Sequence, residues 1–352
     1  MKKLMTLFAL SLLAFVLVAC GGGDSESEGQ NGENESASES EGGEKVIRAG
    51  IGLNSEHPQY KGLLKFKEIV EKETDGAIKV ETYHSGQLGD DRTMTEALQL
   101  GTQEVTIPST APIANFVPEF SVFDIPFLFP SEEVADKVLA GDVAQGLLKK
   151  LEEKDLVGLA YWENGFRDLT NSVRPVKTIE DFEGLKIRTM ENDLHLEAFK
   201  ALGANPTPMA FTELFTALQQ GTVDGQENPY ATIYLEKFYE VQDYVSNTHH
   251  VYSPFVFLMS KQFYDGLSKE QQEIVRSAAK EAGKHQIKLN REANAKYLKN
   301  LQEEGMEYSE ISDEERQKMV DAVQPVIEEF KSDIGAETVD GIMKAVEEAK
   351  AE

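Results

Sequence analysis

From Gly21 to Glu44 the chain runs for 24 residues using only Gly, Ser, Glu, Asp, Asn, Gln and one Ala. Nothing in that stretch can build a core, and low hydrophobicity with many like charges is the composition of disorder. Whatever packs must therefore lie beyond it, in about 308 residues, ample for a large core and usually for more than one domain. Before it, Lys2 and Lys3 precede an apolar run from Leu4 to Val18, closed by Leu17-Val18-Ala19-Cys20. A basic start, a short apolar core and a small-residue end are the layout of a secretory signal peptide. The run is short for a spanning helix, which needs about 20 apolar residues. The expected organisation is a signal peptide over 1–19 and an acidic tether over 20–44.

Cys20 is the only cysteine, so a disulfide within the chain and a thiolate zinc cage are both excluded. Leu-Val-Ala-Cys resembles the bacterial lipoprotein cleavage box, in which the cysteine becomes the first residue and is lipidated. On that reading the 24 residues are a flexible tether with a typical reach of roughly 25–30 Å. It would hold a water-exposed domain to a membrane through acyl chains. The net charge of −27 includes eight acids from the tether, and the folded part stays strongly acidic. Phosphate-backbone binding needs clustered Lys and Arg, so nucleic acid is not an expected partner. A protein this acidic can bind an anion only where a few arginines are locally concentrated.

Beyond residue 44 the pattern alternates. Lys45 to Gly52 reads as a strand, His57 to Lys72 as a helix, and Ile78 to Tyr83 as a second strand. Asp91 to Leu100 predicts a helix, Glu104 to Pro108 a short strand, and Ser131 to Lys149 further helices. Phe116 to Phe129 carries five phenylalanines, with Pro118 and Pro126 among them and Pro130 just after, and reads as an aromatic core segment without a regular helix. Val157 to Trp162 and Phe255 to Met259 read as strands, with a second strand–helix unit between them. From Ser268, capped with Gln271, nothing stops a helix before Gly305, and Ser312 with Glu315 opens another. Strands alternating with helices point to an α/β protein with a largely parallel sheet.

Catalytic signatures are missing. Gly50-Ile-Gly52 begins like a dinucleotide fingerprint but lacks its third glycine, and no G-x-S-x-G or H-E-x-x-H occurs. No cofactor or metal is expected, His249-His250 reading as strand residues, and no enzyme chemistry is signalled. The arginines say more. Arg167 lies in Glu163-Asn-Gly-Phe-Arg-Asp-Leu-Thr-Asn171, and Arg188 ends Gly184-Leu-Lys-Ile-Arg. A guanidinium meets a carboxylate through a planar fork, although in so acidic a chain either could serve a structural ion pair.

Several segments together resemble the solute-binding proteins of tripartite ATP-independent periplasmic (TRAP) transporters, the DctP-like family. They are Gly86 to Arg92, Gly165 to Asn171, Gly184 to Arg188, Gly203 to Phe211 and Val223 to Pro229, and the resemblance runs from about Val46 to Lys331. It implies a two-lobed α/β fold of the periplasmic-binding-protein type, with hinge-crossing strands and a long helix spanning both lobes. Residues 45–165 with 254–293 would form one lobe, and 166–253 with 294–352 the other. It implies that Arg188 pairs with a ligand carboxylate, Arg167 is a second anion contact, Asn228 hydrogen-bonds the ligand and Phe211 walls the pocket. Asn54, Gln87 and Asp91 would come from the first lobe. Ser109 stands where sialic-acid-binding relatives present a glutamate, which argues against that ligand.

The implied ligand is an organic-acid anion: a sugar acid such as a hexuronate is favoured and a C4-dicarboxylate comes next. The implied partners are the small and large membrane subunits. The lipid anchor suits the outer face of the cell membrane in a Gram-positive-type cell. A sensing lipoprotein that reports to a receptor kinase and an extracytoplasmic hydrolase stay open as other readings.

Overall fold

A computed structural model describes residues 45–351 of the chain; the leader, Cys20 and the tether lie outside the described residues. The alternation read from the sequence is present, and nine strands join in one sheet among the described residues. They are β1 (Lys45–Gly50), β2 (Ile78–Tyr83), β3 (Val105–Thr106), β4 (Leu156–Asn171) and β5 (Lys186–Thr189). The rest are β6 (Asn205–Pro208), β7 (Gly225–Asn228), β8 (Tyr244–Ser260) and β9 (Glu307–Ser309). The spatial order is β2-β1-β3-β8-β4-β7-β5-β6, with β9 beside β8. Each end of the sheet is parallel, β1 pairing β2 and β3, and β5 pairing β6 and β7. The middle is antiparallel, because β8 pairs β3 and β4, and β4 pairs β7.

Two long strands make the fold two-lobed. β4 has 16 residues and β8 has 17, so each runs roughly 50 Å at about 3.3 Å per residue. β3 joins β8 at Leu258 and Met259, whereas β7 joins β4 at Asp168 to Asn171. The β4–β8 register slips at Glu163/Gly165 and again at Arg167/Leu169. Bulges of this kind bend a strand and raise its twist, and both lie where the strands pass from one lobe to the other. Gly165 holds φ +113 there, and a Cβ on it would sit 3.1 Å from Asn294 Nδ2. Only glycine meets both demands. The bulges explain why the sequence pattern marks β4 only to Trp162: past that point its period of two is broken.

The helix Lys269–Glu303 spans 35 residues, about 50 Å at 1.5 Å per residue. Ser268 and Gln271 form its capping box. Its buried face is Val275, Ala278, Ala279 and Ala282 over the first lobe, then becomes Gln286 and Asn290 beside the crossing. Gln286 takes the Glu163 amide at 3.0 Å and donates to the Glu163 carbonyl at 2.7 Å. Glu163 stands opposite Pro254, which has no N–H to give, and its backbone groups are satisfied in this way. Trp162 is buried between this helix and the helix Pro58–Glu73, its Nε1 donating to the Ala279 carbonyl at 2.9 Å. A Cβ on either Gly62 or Gly283 would come within 2.7 Å of the indole.

Three apolar clusters hold the frame. One joins Ile47, Phe66, Trp162 and Phe257 in the first lobe, and another joins Leu214, Phe238, Val245 and Leu301 in the second. The largest contains Phe120, Phe123 and Phe129 of the proline-rich segment, with Phe116 and Phe127 packed on it. That segment holds a short 3-10 helix, Pro118–Asp124, and no longer helix. The same cluster takes Met319 and Val323 from the helix Asp313–Ile334, and Val339, Ile342 and Val346 from the helix Ala336–Ala351. The last helix packs on the helices Glu132–Ala140 and Asp142–Lys150.

Candidate ligand-binding site

Where the crossing strands meet the ends of the parallel strands, a cavity lies between the lobes, with about 570 Å3 of empty space when the open solvent at its mouth is included. Gly52, Asp91, Ser109 and Phe255 line it from one side, and Arg188, Met209, Phe211 and Asn228 from the other. Asn164 and Arg167 of β4 also line it.

Arg188 is the penultimate residue of β5 and is 2 % exposed. Its Nε and Nη2 both donate to the Met209 carbonyl, at 2.9 and 2.7 Å. Nη1 is buried and has no partner among the described residues. The Phe211 ring, centred 6.0 Å from the guanidinium carbon, supports the group in a weak cation–π contact. Burial pulls the Arg188 pKa down to about 10, because the charge has lost water without gaining a paired anion. It remains a cation at neutral pH.

Arg167 is equally buried and differently engaged. Its Nε donates to Glu227 Oε2 at 2.5 Å, and its Nη2 to Oε1 at 2.8 Å and to the Glu227 carbonyl at 2.6 Å. Burial alone would raise the Glu227 carboxyl, but Arg167 and His250 hold it far below the carboxylate range. Asn228 follows Glu227 on β7, and its Nδ2 donates to Gln226 Oε1 at 2.5 Å. Gln226 in turn donates to Thr170 Oγ1, which donates to Gln242. That chain of bonds orients the Asn228 amide at the cavity wall.

Asp91 opens the helix Asp91–Gln99, whose N-cap is Asp90. Asp91 Oδ2 accepts the Ser109 amide at 3.3 Å, and burial pushes its pKa up to about 6. Of the seven residues expected in the site, Arg188, Arg167, Asn228, Phe211 and Asp91 are brought together in the cavity lining.

Asn54 and Gln87 are not. Asn54 Nδ2 donates to the Leu235 carbonyl at 2.7 Å, and its amide donates to Glu236 Oε1 at 2.8 Å. It ties the lobes together beside the cavity. Gln87 is exposed in a turn that presents Gly86 to the other lobe. A Cβ on Gly86 would sit 2.6 Å from Thr212 Cγ2, so the turn docks through its glycine and leaves Gln87 to solvent.

Sequence reasoning did not single out Gln59, Asn164, Glu191 or Glu227. Gln59 Oε1 and Asn164 Oδ1 are buried, unpartnered and in the lining. Asn164 stands beside Gly165 in β4, and an amide inside a strand expected to be buried is the available signal. Glu227 had no such signal, because its partner is 60 residues away.

A two-lobed α/β frame that buries a cation with a free donor edge at its crossing strands defines a solute-binding protein. The chain belongs to the DctP family, the bacterial extracellular solute-binding proteins of family 7, whose pattern matches residues 49–333. It is 48 % identical to the sugar acid binding protein of Advenella mimigardefordensis, solved with galactonate, which covers 87 % of this chain and 98 % of its own at a TM-score of 0.85. A TRAP periplasmic solute-binding protein of Polaromonas, bound to D-erythronate, is 44 % identical, covering 85 % and 98 % at a TM-score of 0.82. The C4-dicarboxylate-binding periplasmic protein of Rhodobacter capsulatus is 38 % identical over 86 % of this chain and 91 % of its own.

Proposed function

We propose that this protein captures a sugar acid through its carboxylate and delivers it to the small and large membrane subunits of a TRAP transporter. The observation that carries the reading is Arg188, a buried cation with two donors anchored and Nη1 unpartnered at the cavity wall. A ligand carboxylate is the partner that geometry suits. Arg167 adds its field, Asn228, Asn164 and Gln59 offer bonds to hydroxyls, and Phe211 closes the wall. Hydrogen bonds to charged groups contribute roughly 1.5–3 kcal/mol each, so two or three supply much of the −8 kcal/mol of a micromolar complex.

The relatives solved with galactonate and D-erythronate support a polyhydroxy acid. Hexuronates belong to the same class, and the C4-dicarboxylate binder marks the next ligand to test. The action is binding and release without turnover: the lobes, divided near 165 and 254 within the crossing strands, close over the acid and present a joint surface to the membrane partner. Delivery to a transporter is favoured over signalling to a receptor kinase by the family to which the chain belongs.

Cys20, in Leu-Val-Ala-Cys, anchors the protein by lipid to the outer face of the membrane, in a cell of Gram-positive type. Replacing it by Ser should release the protein into the medium; retention on the membrane would refute the anchor. For the ligand, the test is a thermal-shift panel of hexuronates, aldonates, C4-dicarboxylates and 2-oxo acids. A ligand at a hundred times its dissociation constant adds about 2.7 kcal/mol to the native state, a shift of several degrees. No shift with any acid, in folded and ligand-free protein, would overturn the reading.

A further inference from the structure

The cavity lining contains two cations, Arg167 and Arg188, and three acids, Asp90, Asp91 and Glu191. Glu227 matches the Arg167 charge in a bidentate pair, which leaves Arg188 as the one cation of the lining without an ion-pair partner among the described residues. The acids are not equivalent. Asp90 Oδ1 is committed to the amides of Arg92 and Thr93, both at 2.9 Å. Glu191 Oε1 is 3.8 Å from Arg92 Nη1. Asp91 is placed differently: Oδ2 is held by the Ser109 amide, while Oδ1 accepts no hydrogen bond among the described residues. Oδ1 lies toward Gly52 and the Phe211 ring, since a Cβ on Gly52 would be 3.7 Å from it and 4.0 Å from the ring carbon. Both are walls of the cavity.

Resting on the reading that Arg188 takes the ligand carboxylate, we propose that Asp91 sets the ligand class. Its free oxygen accepts a hydroxyl from a polyhydroxy monocarboxylate and repels a second carboxylate. The cavity has an acceptor where a sugar acid has O–H groups and a negative charge where a dicarboxylate has its other anion. Asp91 feels the Arg188 charge, and burial still keeps its pKa near 6, so it is mainly ionised at pH 7.5. A like charge brought against it in a partly desolvated site carries a large penalty.

The test is calorimetric titration of the protein and of its Asp91→Asn variant with galactonate and with succinate at pH 7.5, each protein first shown by its melting curve to be folded. The wild type should prefer galactonate by about a hundredfold or more, as expected for an unpaired like charge facing the second carboxylate. Asp91→Asn should shrink that ratio at least tenfold, galactonate binding more weakly and succinate more tightly. Should that variant melt below the assay temperature, Asp91→Ser gives the same readout.

A wild type that binds succinate as tightly as galactonate, or a neutral variant that keeps the wild-type ratio, overturns the assignment and leaves acid binding intact. A folded, ligand-free wild type that binds no acid in the panel overturns the parent reading as well.

Discussion

Arg167 and Arg188 stand in the same cavity wall, at 1 % and 2 % exposure, yet their surroundings are opposite. Arg167 is closed into a pair: Glu227 takes two of its nitrogens, and His250 Nε2 lies 3.1 Å from the same carboxylate. Arg188 is anchored by a carbonyl, which fixes its direction and leaves it without an ion pair among the described residues. Taking a cation out of water costs several kcal/mol unless an anion accompanies it. The molecule meets that cost for Arg167 with its own carboxylate; for Arg188, on the function proposed above, the bound acid meets it. Arg167 is thus held by a protein carboxylate while still lining the cavity, and Arg188 lines it without an ion-pair partner among the described residues.

The contrast between the two arginines depends most on Glu227. Glu227→Ala leaves the Arg167 guanidinium buried and unpaired, and should destabilise the fold by about 3–5 kcal/mol, seen as a melting point lower by roughly 10 °C. A variant melting with the wild type would show that the pair is unimportant.

Glu227→Gln keeps the shape and removes the charge, so the cavity gains a second cation without an ion pair. Dicarboxylate affinity should rise by about tenfold; calorimetry showing no gain would mean that Arg167 is shielded from the ligand. The same residue sets an acid limit. Its folded pKa lies below its ordinary value of 4.5. Its contribution to stability is thus complete above about pH 4.5 and is lost as pH falls toward the folded value. Glu227→Gln should flatten that acid slope in melting curves.

Glu236 behaves with the opposite sign. Burial raises its pKa from 4.5 to about 7, so its contribution is present below pH 4.5 and is lost as pH rises through 7. Glu236→Gln still offers an oxygen to the Asn54 amide, and should melt a few degrees above the wild type at pH 8 and level with it at pH 4.5. Equal melting at both values would refute the buried, uptitrated carboxyl.

The smallest effect is expected from Asn54→Ala, which removes one hydrogen bond between the lobes, to Leu235. Ligand affinity should fall about fivefold, the equivalent of roughly 1 kcal/mol. A loss of a hundredfold or more would restore Asn54 to the ligand contacts from which its geometry removes it.

Much of the frame was legible because local rules decide it. The period of β2, the box at Ser268 and the unbroken helix to Glu303 are statements about neighbours in sequence. What escaped depends on distant partners. β4 continues to Asn171 because Gln286 and Asn290 satisfy the bulge from another element. Asn54 turns away from the cavity because Leu235 and Glu236 meet it there. Arg188 and Arg167 look alike as sequence, one arginine in each of two strands, and only the position of Glu227 separates their roles.

The most direct test is calorimetric titration of the protein and of its Arg188→Ala variant with galactonate, beside melting curves of both without ligand. The account predicts that the variant melts within a few degrees of the wild type and loses affinity by at least about a thousandfold, as removal of the central charged contact requires. Wild-type affinity in a folded Arg188→Ala protein would contradict it.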